Sequence, residues 1–376
     1  MQVELTASLL EDQHTESLLI LAICAFGTVG RHRIVPDVRA TWDAWAATLP
    51  VTLSDELQLV WDDGESKSSL GPSSLEVQVR DTTDLTTEPI LVTPPIALTL
   101  LGQPLRILLE NGRNDRAFVV AFADASSKKV IVSAERAGWL VFDTAGGIGE
   151  LRVRLASALK ELASKEPASK EPPNLAAQAG ALRTMYLCDS DAREVAQPST
   201  DAKFVQGKLD ELSKIFERHL KPGRLLGWVL KRRAAENYAP HSHVLAWAKA
   251  AYGADAWRLF QESKKQPSRD ALRNDTGKPD SARRQLLAAI ALGELDDPTR
   301  SVMCMKHGRG KPPKAGEAPN WRTPDAVWNT LDPFQAAALS DGFGDKFSES
   351  FYGDADALPD MSGEVTTFIK NILERL

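Results

Sequence analysis

Apolar and polar positions form short blocks along the first hundred residues. The apolar run from 17 to 30 predicts a buried helix within 12–30, and it is shorter than the roughly 20 residues that a membrane span needs. Apolar residues cluster or alternate again at 57–61 and 75–79, with turn residues between them, which predicts two strands. Residues 1–100 are therefore expected to form an N-terminal α+β unit.

Residues 104–240 alternate between short apolar runs and longer amphipathic segments. The predicted strands are 105–109, 129–132, 140–142, 185–188 and 225–230. The predicted helices are 115–125, 148–163 and 204–220. Alternation of strands with helices indicates an α/β fold with a mainly parallel sheet flanked by helices.

A charged, proline-containing repeat interrupts this alternation. Ala163-Ser-Lys-Glu-Pro167 recurs at once as Ala168-Ser-Lys-Glu-Pro172, and such a duplication is typical of a solvated linker, here 163–173. The remaining residues predict mostly helices with long polar loops. The chain is thus expected to divide into a unit at 1–100, a core at 101–240 and a helical C-terminal extension at 241–376.

The composition narrows the class of protein. Of 376 residues, 43% are apolar and 26% are charged, as in ordinary globular proteins. Three widely separated cysteines without a Cys-x-x-Cys spacing exclude a zinc ribbon and indicate a reducing compartment. Acidic residues precede the first apolar run, which argues against a signal peptide. We therefore expect a cytoplasmic protein with no membrane partner.

The charge is unevenly distributed. The whole chain has a formal net charge of -6, whereas residues 201–320 hold 23 Lys+Arg and 14 Asp+Glu, a net charge of +9. A basic stretch of this size in an acidic chain favours contact with a polyanion such as nucleic acid. The alternative is a solvated helical surface.

Three acidic positions follow predicted strands. The first is Glu110, which follows 105–109, and the second is the pair Asp189 and Asp191, which follows 185–188. Ligands of open α/β sheets bind beyond the carboxyl ends of the strands, and carboxylates there are suitable ligands for Mg²⁺. The alternative is that these residues only form turns or cap helices.

The third position is Glu236, which follows the strand predicted at 225–230 and three consecutive bases, Lys231, Arg232 and Arg233. It is either their counterion or a ligand of a second metal ion. The loop Gly146-Gly-Ile-Gly149 opens a predicted helix and is able to cradle a phosphate. The chain lacks GxxxxGK[ST], which excludes a P-loop ATPase.

These motifs together resemble the TOPRIM fold. More narrowly, they are similar to the TOPRIM nuclease domains of the OLD (overcoming lysogenization defect) family and their stand-alone relatives in bacterial anti-phage defence. The resemblance covers 104–240 and extends loosely to 303–308 and 339–344. Its motifs are Leu108-Leu-Glu-Asn-Gly112 with Asp115, Gly146-Gly-Ile-Gly149, Leu187-Cys-Asp-Ser-Asp191, and Leu230-Lys-Arg-Arg233 with Glu236-Asn-Tyr-Ala-Pro240.

The resemblance implies a fold, a metal centre and an activity. The fold is a TOPRIM-like Rossmannoid sheet. Glu110, Asp189 and Asp191 would hold Mg²⁺ or Mn²⁺, and Glu236 with Asp115 would belong to a second metal position. The implied reaction is two-metal hydrolysis of a phosphodiester bond, in which one ion activates water and the other stabilises the leaving oxygen.

The resemblance also implies the substrate and the partner. Lys306 would stabilise charge at the scissile phosphate. The residues that would bind nucleic acid are Lys231, Arg232, Arg233 and Arg193. DNA is expected as the substrate in preference to RNA. The implied partner is a separate ATPase. Whether the chain also forms a homo-oligomer is left undecided by the resemblance. The leading hypothesis is a nuclease effector of anti-phage defence. The alternative is a non-catalytic nucleic-acid-binding or regulatory subunit of an ATPase complex that uses the fold as a scaffold.

Overall fold

The computed structural model describes the chain except for a set of segments. These are residues 12–16, 29–30, 69–75, 86, 165–179, 191–211, 213, 215–226, 251–280, 311–321, 341 and 344–346. The predicted helix at 204–220 and most of the predicted linker lie outside the described residues. Among the described helices, none is long and apolar enough to cross a membrane.

The N-terminal unit is built on a parallel sheet of four short strands. They are β1 (Gln2–Leu5), β2 (Arg33–Pro36), β3 (Glu76–Val79) and β4 (Ile90–Val92), in the order β2-β1-β3-β4. The helices of this unit are Ala7–Glu11, Ser17–Thr28, Arg39–Ala46, Val51–Ser68 and Pro94–Gly102. All strand pairs within this sheet are parallel, so the α+β description of residues 1–100 is replaced by α/β.

The strand predicted at 57–61 is wrong, because these residues lie inside the helix Val51–Ser68. Leu57, Val60 and Trp61 are all buried. Their spacing of three and four residues puts the three side chains on one face of a helix. The strand predicted at 75–79 is confirmed as β3, Glu76–Val79.

A second parallel sheet of four strands follows. Its strands are β5 (Leu105–Leu109), β6 (Leu140–Thr144), β7 (Thr184–Cys188) and β8 (Gly227–Val229), in the order β6-β5-β7-β8. The described helices between these strands are Arg113–Phe122, Ala125–Arg136 and Ile148–Ser164. The parallel sheet flanked by helices that the sequence predicts for this region is confirmed.

The strand predicted at 129–132 is wrong, because this segment belongs to the helix Ala125–Arg136. Asp124 caps that helix by accepting a hydrogen bond of 2.8 Å from the backbone N–H of Ser127. Ile131 is buried, while Val130 is 46% exposed. A single buried face is the pattern of a surface helix, whereas a strand inside a parallel sheet is buried on both faces.

The described part of the C-terminal extension is mostly helical, as predicted. Residues 241–250 are helical, and the further helices are Ser281–Glu294, Asp297–Val302, Asp325–Trp328, Pro333–Ala338, Phe347–Asp354 and Glu364–Arg375. Ala235–Tyr238 forms one turn of 3₁₀ helix.

The central strands β5 and β7 of the second sheet are buried on both faces. One face, with Ile107 and Leu109 of β5, belongs to the hydrophobic core that includes the C-terminal helices. The other face, with Leu108 of β5 and Tyr186 of β7, belongs to the core that includes the N-terminal sheet. Burial on both faces explains why β5 and β7 are nearly continuous apolar runs.

Candidate functional site

The candidate site lies where the chain order of the second sheet reverses. β5 pairs with β6 on one side and with β7 on the other. The connections that leave β5 and β7 therefore diverge, and a crevice at such a switch point is the usual ligand site of open α/β sheets. Glu110 directly follows β5, and Asp189 directly follows β7.

Glu110 is fixed by its backbone and by its side chain. Its N–H donates to the carbonyl oxygen of Leu187 over 3.2 Å. Its own carbonyl oxygen accepts hydrogen bonds from the N–H groups of Gly146 and Gly147, at 3.1 and 3.0 Å. The buried side chain accepts a hydrogen bond of 3.1 Å at Oε2 from the N–H of Asp189. The glycine loop predicted to cradle a phosphate thus contacts the backbone of Glu110.

Asp189 connects three segments of the chain. Its Oδ1 accepts a hydrogen bond of 3.1 Å from the N–H of Ala235. Asn111 Nδ2 lies 3.5 Å from Oδ2 on the other side. Next to it, the Ser190 hydroxyl donates to the carbonyl oxygen of Arg232 over 2.7 Å. The residues after β5, β7 and β8 are therefore held together at this edge of the sheet.

Asp115 lies in the first turn of the helix Arg113–Phe122 and is only 4% exposed. Its Oδ2 accepts a hydrogen bond of 2.7 Å from the N–H of Asn111. Burial, together with the negative charges of Glu110 and Glu236, raises the pKa of Asp115 to about 7, against the lowering effect of the hydrogen bond from Asn111. The structure thus brings three of the predicted metal ligands into electrostatic contact.

Glu236 is half-buried in the 3₁₀ turn Ala235–Tyr238. The buried Tyr352 hydroxyl donates to the carbonyl oxygen of Ala235 over 2.7 Å. Burial holds the pKa of Tyr352 well above its usual range, and the charges of Glu236 and Asp189 act in the same direction. The predicted acidic residues after all three strands therefore share one neighbourhood.

The donor types suit a divalent cation, but the described ligands do not form a closed cluster. All of the side chains are carboxylates, which are the oxygen donors that Mg²⁺ and Mn²⁺ prefer. Carboxylates that raise the pKa of Asp115 create a negative site that a cation would neutralise. Among the described residues, however, no group of three or more His, Cys, Asp or Glu side chains is close enough to hold a metal ion. Asp191 lies outside the described residues.

The three predicted basic contacts have different environments. Lys231 is exposed, and its backbone N–H donates to Glu364. Arg232 donates to Asp297 over 3.0 Å, and its guanidinium lies 5.3 Å from the centre of the Tyr238 ring. Arg233 is 4% exposed and donates to the carbonyl oxygen of Val302, so its placement disfavours the predicted contact with phosphate.

The last two predicted residues lie further along the chain. Lys306 is exposed in a turn after the helix Asp297–Val302. Asn237 Nδ2 donates to the carbonyl oxygen of Met303 over 3.0 Å, so the segment leading to Lys306 packs against the Glu236 turn. Arg193 lies outside the described residues.

Glu364 is an organising residue that the sequence did not suggest. It lies buried in the first turn of the C-terminal helix Glu364–Arg375. Its Oε1 accepts hydrogen bonds of 3.0 Å from Trp228 Nε1 and from the N–H of Lys231, and its Oε2 accepts one from the Tyr238 hydroxyl. An acidic residue in the first turn of a helix is common, so the only sequence signal is a general one.

Comparison with protein-family models, with curated proteins and with solved structures finds no match for this chain.

Proposed function

We propose that this chain is a metal-dependent TOPRIM-type endonuclease that hydrolyses phosphodiester bonds in DNA or RNA. Of the two substrates, DNA is favoured. The observation that carries the proposal is the convergence of Glu110, Asp115, Asp189 and Glu236 at the switch point of a parallel sheet. A buried carboxylate group costs free energy that only a functional or structural role would maintain. The sequence resemblance supplies the reaction type.

The site residues have separate roles in this proposal. Glu110 and Asp189 would hold the cation, while Asp115 and Glu236 would complete its surroundings. A bound Mg²⁺ or Mn²⁺ supplies an activated water and stabilises the leaving oxygen. The hydrogen bond from the Asp189 N–H orients the Glu110 carboxylate, and the Ala235 N–H orients Asp189 in turn. Lys231, exposed beside the site, would contact the phosphate backbone.

A nuclease effector in anti-phage defence, released by a separate ATPase, is the cellular role that the resemblance favours. The basic stretch 201–320 is consistent with a polyanionic substrate. The basic stretch supports the type of substrate, whereas the defence role and the ATPase partner come from the sequence resemblance.

The test is a cleavage assay on plasmid, linear DNA and total RNA with Mg²⁺ or Mn²⁺. Asp189→Asn removes the charge but retains an oxygen that accepts from Ala235, so the fold is expected to persist and cleavage to cease. The matched control is Asp81→Asn, an exposed aspartate in the loop after β3. Cleavage that survives in Asp189→Asn, or that needs no divalent ion, would contradict the proposal.

A non-catalytic nucleic-acid-binding or regulatory subunit is the second candidate. The observation that favours it is that the described residues present no cluster of three metal-binding side chains. Thermal unfolding with and without Mg²⁺ separates the two, since a bound ligand stabilises the folded chain by about 2.7 kcal/mol at 100 times its Kd. Tight binding to an oligonucleotide, together with no cleavage and no Mg²⁺-dependent shift, would favour the regulatory subunit.

A further inference from the structure

A cluster of basic side chains lies at the opposite edge of the second sheet from the carboxylates. Arg183 directly precedes β7, whereas Asp189 directly follows it, so the two are about 20 Å apart at roughly 3.3 Å per residue of strand. The cluster consists of Arg183, Arg31, His32 and Arg375, all of them buried. They come from the segment before β2, the turn before β7 and the C-terminal helix.

Arg183 has one edge of its guanidinium group unused. The side chain is 1% exposed, and Nη1 donates to the carbonyl oxygen of Arg375. In the described part of the chain, Nε and Nη2 are buried without a hydrogen-bond partner. These two nitrogens lie on the same side of the planar group and present two parallel N–H donors. That edge is the one which binds the two oxygens of a phosphate or carboxylate.

The neighbouring side chains are held in place but are also incompletely paired. Arg31 donates through Nη1 and Nη2 to the carbonyl oxygens of Gly102 and Gln103, and His32 Nε2 lies 3.2 Å from the carbonyl oxygen of Leu101. Arg31 Nε and Arg375 Nε are further buried nitrogens without a partner among the described residues. Backbone carbonyl oxygens of the segment between the two sheets therefore hold Arg31 and His32 in place. Among the described residues, these bonds leave the Nε donors of Arg31 and Arg375 without an acceptor.

The positive charges of the cluster act on one another. Burial lowers the pKa of Arg183 to about 9, and the charges of Arg31 and Arg375 contribute in the same direction. Burial lowers the pKa of Arg375 to about 10, which the negative charge of Glu374 partly offsets. Burial also lowers the pKa of His32, to about 2, so this ring is neutral. Buried like charges are costly unless an opposite charge pairs with them.

We propose that this cluster is an oxyanion site that binds a phosphate group between the N-terminal unit, the start of β7 and the C-terminal helix. The free edge of Arg183 takes two oxygens of the anion, and the charges of Arg31 and Arg375 neutralise it. Bound phosphate thus links three distant parts of the chain. The site is independent of the proposed nuclease centre.

The test is thermal and urea unfolding of the full chain at pH 7.5 in increasing inorganic phosphate, with sodium chloride added to keep the ionic strength constant. We expect saturable stabilisation. At phosphate 100 times above its Kd, the folding equilibrium constant rises about 100-fold, which is about 2.7 kcal/mol. Absence of saturable stabilisation in the natural chain would overturn the proposal.

Two variants and a control locate the effect. Arg183→Met removes the phosphate-dependent shift. It lowers phosphate-free stability only slightly, because the guanidinium has no acidic partner among the described residues and the change removes one hydrogen bond, to the carbonyl oxygen of Arg375. Arg183→Lys keeps the charge but lacks the two-donor edge, so the Kd for phosphate should rise about tenfold or more. This variant also tests the site if Arg183→Met fails to fold. Arg136→Gln, at an exposed helix end, keeps the full shift. An unchanged shift in Arg183→Lys and Arg183→Met would refute the site.

The same titration with AMP identifies the source of the phosphate group. A shift at lower concentration than with inorganic phosphate indicates a nucleotide as the occupant. An equal or weaker response indicates a free oxyanion. Both results retain the site, whose existence the Arg183 variants decide.

Discussion

The backbone N–H of Asp189 donates a hydrogen bond of 3.1 Å to Oε2 of Glu110, which ties the residue after β7 to the residue after β5. The two strands are neighbours in the sheet, so their carboxyl ends meet. A carboxylate that accepts a backbone hydrogen bond is oriented before any ligand arrives.

Asp115 is expected to make stability depend on pH. Its pKa in the folded chain, about 7, lies above its ordinary value of 3.8, so the folded state binds the proton more tightly. The favourable contribution is complete below about pH 4 and is lost as the pH rises to about 7. Asp115→Asn should therefore lose less stability than the natural chain between pH 5 and pH 8 in urea unfolding.

A divalent cation should oppose this loss, because it favours the charged carboxylate. We expect Mg²⁺ to stabilise the natural chain more at pH 8 than at pH 5, and to have a smaller effect on Asp115→Asn. Equal pH dependence in the two proteins without Mg²⁺ would show that Asp115 titrates normally.

Glu364 is expected to hold the basic segment 231–233, which follows β8, onto the C-terminal helix. Glu364→Ala leaves Trp228 Nε1, the Lys231 N–H and the Tyr238 hydroxyl without their shared acceptor. Each buried group that loses its partner costs about 1–3 kcal/mol, so the free energy of unfolding should fall by at least about 2 kcal/mol. Glu364→Gln retains one oxygen acceptor and should lose less.

The control for this change is Lys370→Ala, an exposed position on the same helix. Its free energy of unfolding in urea should stay within about 0.5 kcal/mol of the natural value. If Glu364→Ala is no more destabilised than this control, the three hydrogen bonds make no net contribution to the free energy of unfolding.

Substitution of Gly112 by alanine should lower the stability of the chain more than the same substitution at Gly146, the second glycine near the site. Both Gly112 and Gly146 have a positive φ, +48° and +85°, a sparsely populated region that costs a residue with a side chain about 1–3 kcal/mol. A Cβ on Gly112 would in addition lie 2.5 Å from the Thr144 hydroxyl, whereas a Cβ on Gly146 meets nothing within 4 Å. In urea unfolding, Gly112→Ala should therefore be destabilised more than Gly146→Ala. Equal losses would mean that Thr144 moves aside at no cost.

Lys231 and Arg233 should behave differently in nucleic-acid binding. Lys231→Gln removes an exposed charge, so the slope of log affinity against log salt should become shallower by about 0.9. Arg233→Gln alters a buried side chain bonded to Val302, so it should lower stability and leave the slope unchanged. The measurement is binding of a single oligonucleotide across a salt series. A shallower slope for Arg233→Gln alone would reverse these roles.

The strands that carry the site were predictable because their signals are local. β5 and β7 are short, nearly continuous apolar runs followed by acidic residues, and the structure places them at 105–109 and 184–188. Parallel strands end at the same edge of a sheet, so the proximity of Glu110 and Asp189 follows from the predicted fold class. The segments 57–61 and 129–132 carry the same local signal and are helical, since a short apolar run does not by itself distinguish strand from helix.

Apart from β3, the strands of the N-terminal sheet could not be predicted from local patterns. β1, β2 and β4 have only three or four residues each, and β1 pairs with strands that begin at Arg33 and Glu76. Such short strands are stable only when distant parts of the chain supply their neighbours.

The α/β class of residues 101–240, the strands β5 and β7 and the acidic residues that follow them could be predicted from the amino-acid sequence, because the apolar period and the turn residues are local properties. The strand order, the burial of Asp115 and Arg183, the internal position of Arg233 and the role of Glu364 became visible only in the folded chain. Each of these depends on contacts between residues far apart in the chain. Burial and charge pairing are properties of the packed molecule, so no local pattern specifies them.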